Sequence, residues 1–298
     1  MPEAIKLLVI GLPQAGKTTF LAAFWHLLLS NEVADSLHLA ELQPTRDHLN
    51  SIARVWRQWK PLPRTTLPKE RVITLNVQIP GSPVIYEMTV PDASGEAFKR
   101  IFETRRCSAE FESLASEASG VMLFVHPRQA IPPQRIDVDV DKLSDIIDES
   151  LGPSGPINED SSDASSIESL KWHPKYAAYQ SKLVDLLQVA RRIRGERATR
   201  LSVVISAWDL CELEHLTPPA WVEQRLPLLF QYLEANADLC PYEVYGVSAQ
   251  GAELNDPGTL VESIRSSERI KVVFGGVVSH DLTLPVRGLL SPDGRAVE

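Results

Sequence analysis

Gly11-Leu12-Pro13-Gln14-Ala15-Gly16-Lys17-Thr18-Thr19 fits the pattern GxxxxGK[ST], a spacing suited to gripping a polyphosphate. Backbone N–H groups of such a loop, here Pro13 to Thr19 apart from the proline nitrogen, converge on phosphate oxygens beside the positive end of a helix. Gly11 and Gly16 permit the backbone angles and the close approach. Lys17 would reach the β- and γ-phosphates, and the Thr18 hydroxyl would bind Mg²⁺.

Further along, Pro91-Asp92-Ala93-Ser94-Gly95-Glu96 closes an apolar run. A carboxylate there, Asp92, can hold Mg²⁺ through a water, and Gly95 can offer an N–H to a γ-phosphate. Ser206-Ala207-Trp208-Asp209 follows another apolar run. Asp209 can accept two hydrogen bonds from the N1–H and N2–H₂ edge of guanine, which adenine does not offer; capping a helix is its alternative role. Ser248-Ala249-Gln250 would bring backbone N–H groups to the guanine O6. A switch threonine closing on Mg²⁺ and γ-phosphate is expected between the phosphate loop and Asp92, with Thr65 and Thr66 as candidates. Arg64, Arg71, Arg100, Arg105 and Arg106 could supply charge to a transition state, although exposed arginines ordinarily serve as solvated or ion-paired groups.

Other chemistries fit less well. Gly246 to Gly251 reads GxSxxG, one residue longer than a nucleophile elbow. The seven histidines form no HExxH pair, and His126 and His280 are expected to be structural.

The elements that must position these groups are legible from periodicity. Ile5 and Leu7 to Ile10 form a short apolar run before the loop, and Phe20, Leu21, Phe24, Trp25 and Leu28 follow it at helical spacing. A second helical pattern, Leu49 to Trp59, breaks at Pro61-Leu62-Pro63. Val72–Ile79 and Val84–Val90 read as a hairpin, followed by a helical segment from about Glu96 to Arg106 and more helix to Ser116. Gly120–Val125, Leu201–Ser206 and Tyr242–Val247 are buried strands. Amphipathic helices are expected from Pro174 and after Pro219, and an added strand and short closing helix in the tail. Strands alternating with helices predict an α/β fold: a three-layer, mostly parallel sheet flanked by helices, with one antiparallel edge strand from the hairpin.

Apolar content of 44% and charged content of 23% suit a globular chain with a substantial core. Residues 1–298 read as one domain carrying an acidic, flexible insert at 128–172. Between Asp137 and Glu168 stand ten acidic residues and one base, Lys142, which accounts for the whole net charge of −9. Its composition suits a solvated loop; a partner-binding or phosphorylated segment is the sharper alternative. No basic face points to nucleic acid. Three scattered cysteines, a start without a charged n-region, and a first helix too short for a bilayer predict a cytoplasmic protein without membrane insertion.

In order, Gly11–Thr19, Asp92–Gly95, Ser206–Asp209 and Ser248–Gln250 resemble the motif set of the P-loop GTPases of the translation-factor-related class. The Pro63–Thr66 loop, Asp92–Glu96, Gln180–Gln188, Gly246–Gly251 and His280–Thr283 are similar to the bacterial double-GTPase group. The resemblance covers most of the chain. It implies GTP/GDP and Mg²⁺ as ligands and a regulated switch acting beside a protein partner or activating protein in bacterial signalling or conflict. It also implies site roles for Lys17, Thr66 and Glu96 in hydrolysis, and for Thr18, Asp92 and Thr66 at the metal. Two positions depart from the pattern. Ala207 replaces the lysine whose stem packs on the base, leaving Trp208 as a possible cover for the purine. Glu96 replaces a water-orienting glutamine, so its carboxylate would face phosphate charge. Slow hydrolysis, accelerated by a partner or by nucleotide-dependent dimerisation, is the resulting expectation. An ATPase and a docking module that does not hydrolyse are the alternatives.

Overall fold

The computed structural model describes residues 3–41, 46–62, 71–92, 95–131, 174, 177–195, 197, 199–252 and 265–290. Among them, one sheet holds β1 (Glu3–Ile10), β2 (His38–Glu41), β3 (Arg71–Gln78), β4 (Ile85–Asp92), β5 (Gly120–Val125), β6 (Arg200–Ser206), β7 (Tyr242–Ser248), β8 (Lys271–Phe274) and β9 (Val277–Ser279). The order is β2-β3-β4-β1-β5-β6-β7-β8-β9. The five central strands, β4 to β7 in that order, run parallel. The hairpin strand β3 is antiparallel to β4, as its sequence indicates. Antiparallel pairing extends further than the sequence announces. The short strand β2 covers β3, and β8 and β9 form a hairpin at the opposite margin, where the tail reads as a single strand. Gly275 and Gly276, both at positive φ, make that turn.

The helices are α1 (Lys17–Ser30), α2 (Asp47–Arg57), α3 (Gly95–Thr104), α4 (Ala109–Glu117), α5 (Tyr179–Arg194), α6 (Pro218–Arg225), α7 (Pro227–Ala235) and α8 (Leu284–Leu290). Two boundaries differ from the sequence reading. The helix expected from Pro174 begins at Tyr179, because Ala178 is extended. The helix expected after Pro219 is two helices. Pro227 pushes Leu226 off helical angles (φ −133°, ψ 56°) and starts a new helix itself.

Strand alternation divides the core into two layers. Ile5, Leu7 and Val9 of β1 face one way, onto α1, α2 and α8. Leu8 and Ile10 face the other way, onto the layer containing α3 to α7. The central strands are therefore buried on both faces, which is why they read as continuous apolar runs. Among the described residues no helix is long and apolar enough to cross a membrane.

Residues 128–131, assigned from sequence to the acidic insert, belong to the body of the domain: Pro127–Gln129 is a short 3-10 turn and Ala130 is buried. The rest of the insert, 132–172, lies outside the described residues, as do Arg64, Thr65 and Thr66.

Candidate functional site at the carboxyl edge of the sheet

Three of the motifs, together with His126, meet where the parallel strands end. The phosphate loop leaves β1 after Ile10, His126 follows β5, Asp209 follows β6, and Ser248 ends β7. Register aligns these ends, with Ile10 opposite Leu123, Val125 opposite Ile205, and Ser206 opposite Val247. Neighbouring strands lie about 4.8 Å apart. Two such spacings separate β1 from β6, roughly the reach from the phosphates of a nucleotide to its base.

The loop is shaped by backbone. Gln14 (φ 63°) and Gly16 (φ 88°) are left-handed, and Gly16 caps α1 without any side-chain hydrogen bond. No acidic residue occupies the first turn of α1, so its positive end faces the loop uncompensated by a carboxylate of its own turn. By contrast, Ser108 caps α4 and Thr217 caps α6 with their hydroxyls. A Cβ on Gly16 would stand 2.7 Å from Cβ of Ser206, so glycine is required by space as well as by φ. Ser206 is itself buried and donates to the Val125 carbonyl at 3.1 Å. Its small side chain makes room beneath the loop.

Lys17 Nζ donates to the carbonyls of Gly11 (2.6 Å) and Leu12 (3.3 Å) and lies 5.4 Å from the centre of the Phe98 ring. Thr18 and Thr19, in the first turn of α1, are half-buried. The first residue of α3 closes over the loop: a Cβ on Gly95 would fall onto Cα and N of Pro13. Glu96, next in that turn, is exposed. Asp92 is the last residue of β4 and lies opposite Arg71 in the backbone register of β3 and β4. Arg105 is committed elsewhere, in an ion pair with Asp185 of α5. One brace was missed from sequence. Gln129 Nε2 donates to the Pro13 carbonyl at 2.8 Å, and no local pattern marks a glutamine 116 residues from its partner.

Asp209 and Ser248, read as separate motifs, form one unit. The Asp209 N–H donates to Ser248 Oγ at 2.7 Å, and the Ser248 hydroxyl donates to Asp209 Oδ1 at 2.7 Å. Asp209 is half-buried in a 3-10 turn, Trp208–Glu214. Ala249 is buried, and its carbonyl accepts from Trp56 Nε1 of α2 at 3.0 Å. The side-chain Nε2 of Gln250 is buried with no partner among the described residues.

Trp208 does not cover a base. It is only 4% exposed, packs edge-on against Trp221 (6.4 Å, 74°), and fills the space a side chain at position 246 would need. The turn that starts at Ala207 (φ 48°) sends the indole into the core and leaves Asp209 at the edge.

His126 is half-buried between the loop and Asp209. Its backbone N–H donates to the Tyr179 hydroxyl at 3.1 Å, and its ring Nδ1 accepts from the Arg128 backbone N–H at 3.2 Å. Burial lowers its pKa, Arg128 lowers it further, and Asp209 opposes both. The accepting Nδ1 agrees with a neutral ring. His280–Thr283 is structural: Asp281 Oδ1 accepts from the Thr283 N–H and hydroxyl at the start of α8, and Thr283 Oγ1 accepts from Leu37 N–H.

The arrangement fits a nucleoside triphosphate: an uncapped helix start with a lysine for phosphate, and a carboxylate held by a serine two strands away for a purine edge. The sequence model of a family described as Double-GTPase 1 matches residues 8–289. Among solved structures, the signal recognition particle receptor SRb-GTP/SRX complex from Chaetomium thermophilum is similar at 15% identity. The alignment covers 84% of this chain and 91% of that one, with a TM-score of 0.40. Roco2 RocCORdC of Methanosarcina barkeri, bound to GDP, is similar at 10% identity, covering 84% of this chain and 45% of that one, with a TM-score of 0.35. No protein of curated function matches the sequence.

Proposed function

Because the chain belongs to the Double-GTPase 1 family, we propose that it binds GTP and Mg²⁺ along the carboxyl edge of its sheet and hydrolyses GTP slowly, as a switch read by a protein partner. The single observation that carries this reading is the reciprocal pair of Asp209 and Ser248 beside the parallel-strand ends that also carry the phosphate loop. A serine that both donates to Oδ1 and accepts from the same residue's N–H holds the carboxylate in one orientation. A fixed acceptor pair can discriminate guanine from adenine, since a site built for a donor edge leaves buried acceptors unpaired against the wrong base.

In this reading the Pro13–Thr19 backbone and the Lys17 ammonium hold the phosphates, Gly95 offers its N–H to the γ-phosphate, and Ser248–Ala249 lies by the guanine. Thr18, Asp92 and Thr66 would hold Mg²⁺, which supplies charge neutralisation at the β- and γ-phosphate oxygens. Glu96 would stand where the attacking water is oriented. Its negative charge opposes the approach of an anionic phosphate, so turnover by the chain alone is slow. Loss of the γ-phosphate would release the loops carrying Thr66 and Asp92–Glu96 and change what binds there, in a bacterial signalling or conflict setting.

Exposure of Glu96 favours a second reading, a nucleotide-dependent docking module without turnover. Calorimetric titration with GTP, GDP and ATP, with and without Mg²⁺, followed by phosphate release, separates the two. GTP preference with slow release supports the switch. Equal affinity for ATP removes Asp209 from base recognition, and tight GTP binding without release supports the docking module.

A further inference from the structure

A cavity of about 380 Å³ opens at the opposite end of the sheet, where the parallel strands begin. Its walls are Val121 and Leu201 at the starts of β5 and β6, the last turns of α5, and the end of α7 with the segment that follows it. Small-molecule sites commonly span about 300–1,000 Å³. Leu187, Ala190, Leu233 and Leu239 join Val121 and Leu201 of the strand ends to make an apolar body.

The charged side is made of arginine. Arg191, Arg194 and Arg197 line the cavity, and no carboxylate stands among the described lining residues. Two of the three are committed: Arg191 donates to Asn236 Oδ1, and Arg197 to the Ser116 carbonyl. Arg194 differs. It is 8% exposed, its Nε donates to Thr199 Oγ1 at 2.6 Å, and its Nη1 is buried with no partner among the described residues. Burial lowers its pKa; the Cys240 sulfur opposes the shift and Arg197 adds to it. A buried cation with no counter-charge among the described residues is costly. Thr199 fixes the plane of the guanidinium, and an unpaired N–H on a planar fork suits a carboxylate.

We propose that this cavity binds a small aliphatic carboxylate, with its head on Arg194 and its chain among Leu187, Leu201 and Leu233. A single guanidinium nitrogen without a partner among the described residues suits one negative charge, and the apolar walls suit a chain of several carbons. The site is separate from the nucleotide edge and does not depend on what binds there.

Octanoate tests the assignment, with 1-octanol as the neutral probe of equal chain length and acetate as the head alone. In calorimetric titrations of the full chain, octanoate should bind at least tenfold more tightly than either. Arg194→Leu should abolish the preference for octanoate over octanol, Arg194→Lys should retain part of it, and Ala190→Trp should block both probes. A measurement on the unaltered chain stands beside these, since Cys240 lines the cavity. Octanoate should slow alkylation of Cys240 severalfold while leaving exposed Cys107 unchanged. Equal affinity for octanol and octanoate, no binding of octanoate, or alkylation of Cys240 at an unchanged rate would each overturn the proposal.

Discussion

Ser248 and Asp209 bind each other twice, through Asp209 N–H to Ser248 Oγ and through the Ser248 hydroxyl to Asp209 Oδ1, both at 2.7 Å. The carboxylate that would read a base is thus oriented by a residue 39 positions away in sequence. Ser248→Ala should loosen it without removing its charge. A hydrogen bond to a charged group contributes about 1.5 kcal/mol or more, so GTP affinity should fall about tenfold. Asp209→Ala should go further and erase the difference between GTP and ATP. Calorimetric titration of both variants with both nucleotides checks this; unchanged selectivity in Asp209→Ala would remove the carboxylate from recognition.

Trp208 belongs to the core, so replacing it should affect stability and spare nucleotide choice. Trp208→Ala should cost about 3–5 kcal/mol in urea denaturation. Trp208→Phe should cost less and leave the GTP-to-ATP ratio unchanged. A changed ratio in the folded Phe variant would mean that the indole reaches the base.

Gly95 sets how closely α3 approaches the phosphate loop. In Gly95→Ala the new Cβ meets the Pro13 backbone, which has no flexible side chain to yield. Overpacking of this kind costs about 1–3 kcal/mol. Stability and affinity for GTP should fall together, because the displaced element is the loop itself. Denaturation midpoints measured with and without GTP would reveal it, and an unaltered midpoint would show that α3 stands off the loop.

Glu96→Gln exchanges the charged group proposed to orient the attacking water for a neutral one at an exposed position. Single-turnover phosphate release should rise by about tenfold or more, with GTP affinity little changed. A slower variant would assign the carboxylate an active part in hydrolysis.

Two histidines set a pH limit. The pKa of His26 is lowered by burial first, with Glu32 opposing and Arg57 and Arg269 adding; that of His126 is lowered by burial first, then Arg128. Each unfolded imidazole takes its proton near 6.5, before the folded one does. The stability they contribute is therefore complete above that pH and is lost as pH falls through the lower folded values. Urea midpoints should decline from pH 7.5 to pH 5.5, and His126→Gln should flatten part of the decline.

Much of the fold was legible because parallel strands buried on both faces are continuous apolar runs, and the helices between them repeat at 3.6 residues. β1, β5, β6 and β7 were all visible in this way. The edges were not. β2 is four residues of mixed burial, and β8 and β9 separate only at a two-glycine turn. Boundaries at Tyr179 and Pro227 also depended on backbone angles that spacing does not encode.

By itself the sequence determined the phosphate loop, since its turns at Gln14 and Gly16 and the bond from Lys17 to the Gly11 carbonyl join residues adjacent in the chain. It likewise determined the order of motifs and the α/β architecture. Only the tertiary structure decided which way the side chains after β6 point. Trp208 goes inward because Gly246 vacates its place, and Asp209 stays at the edge because Ser248 holds it. It also decided that Gln129 braces Pro13 and that Gly95 closes on the same loop. Those relations join residues brought together by strand order and register, and no local pattern carries that information.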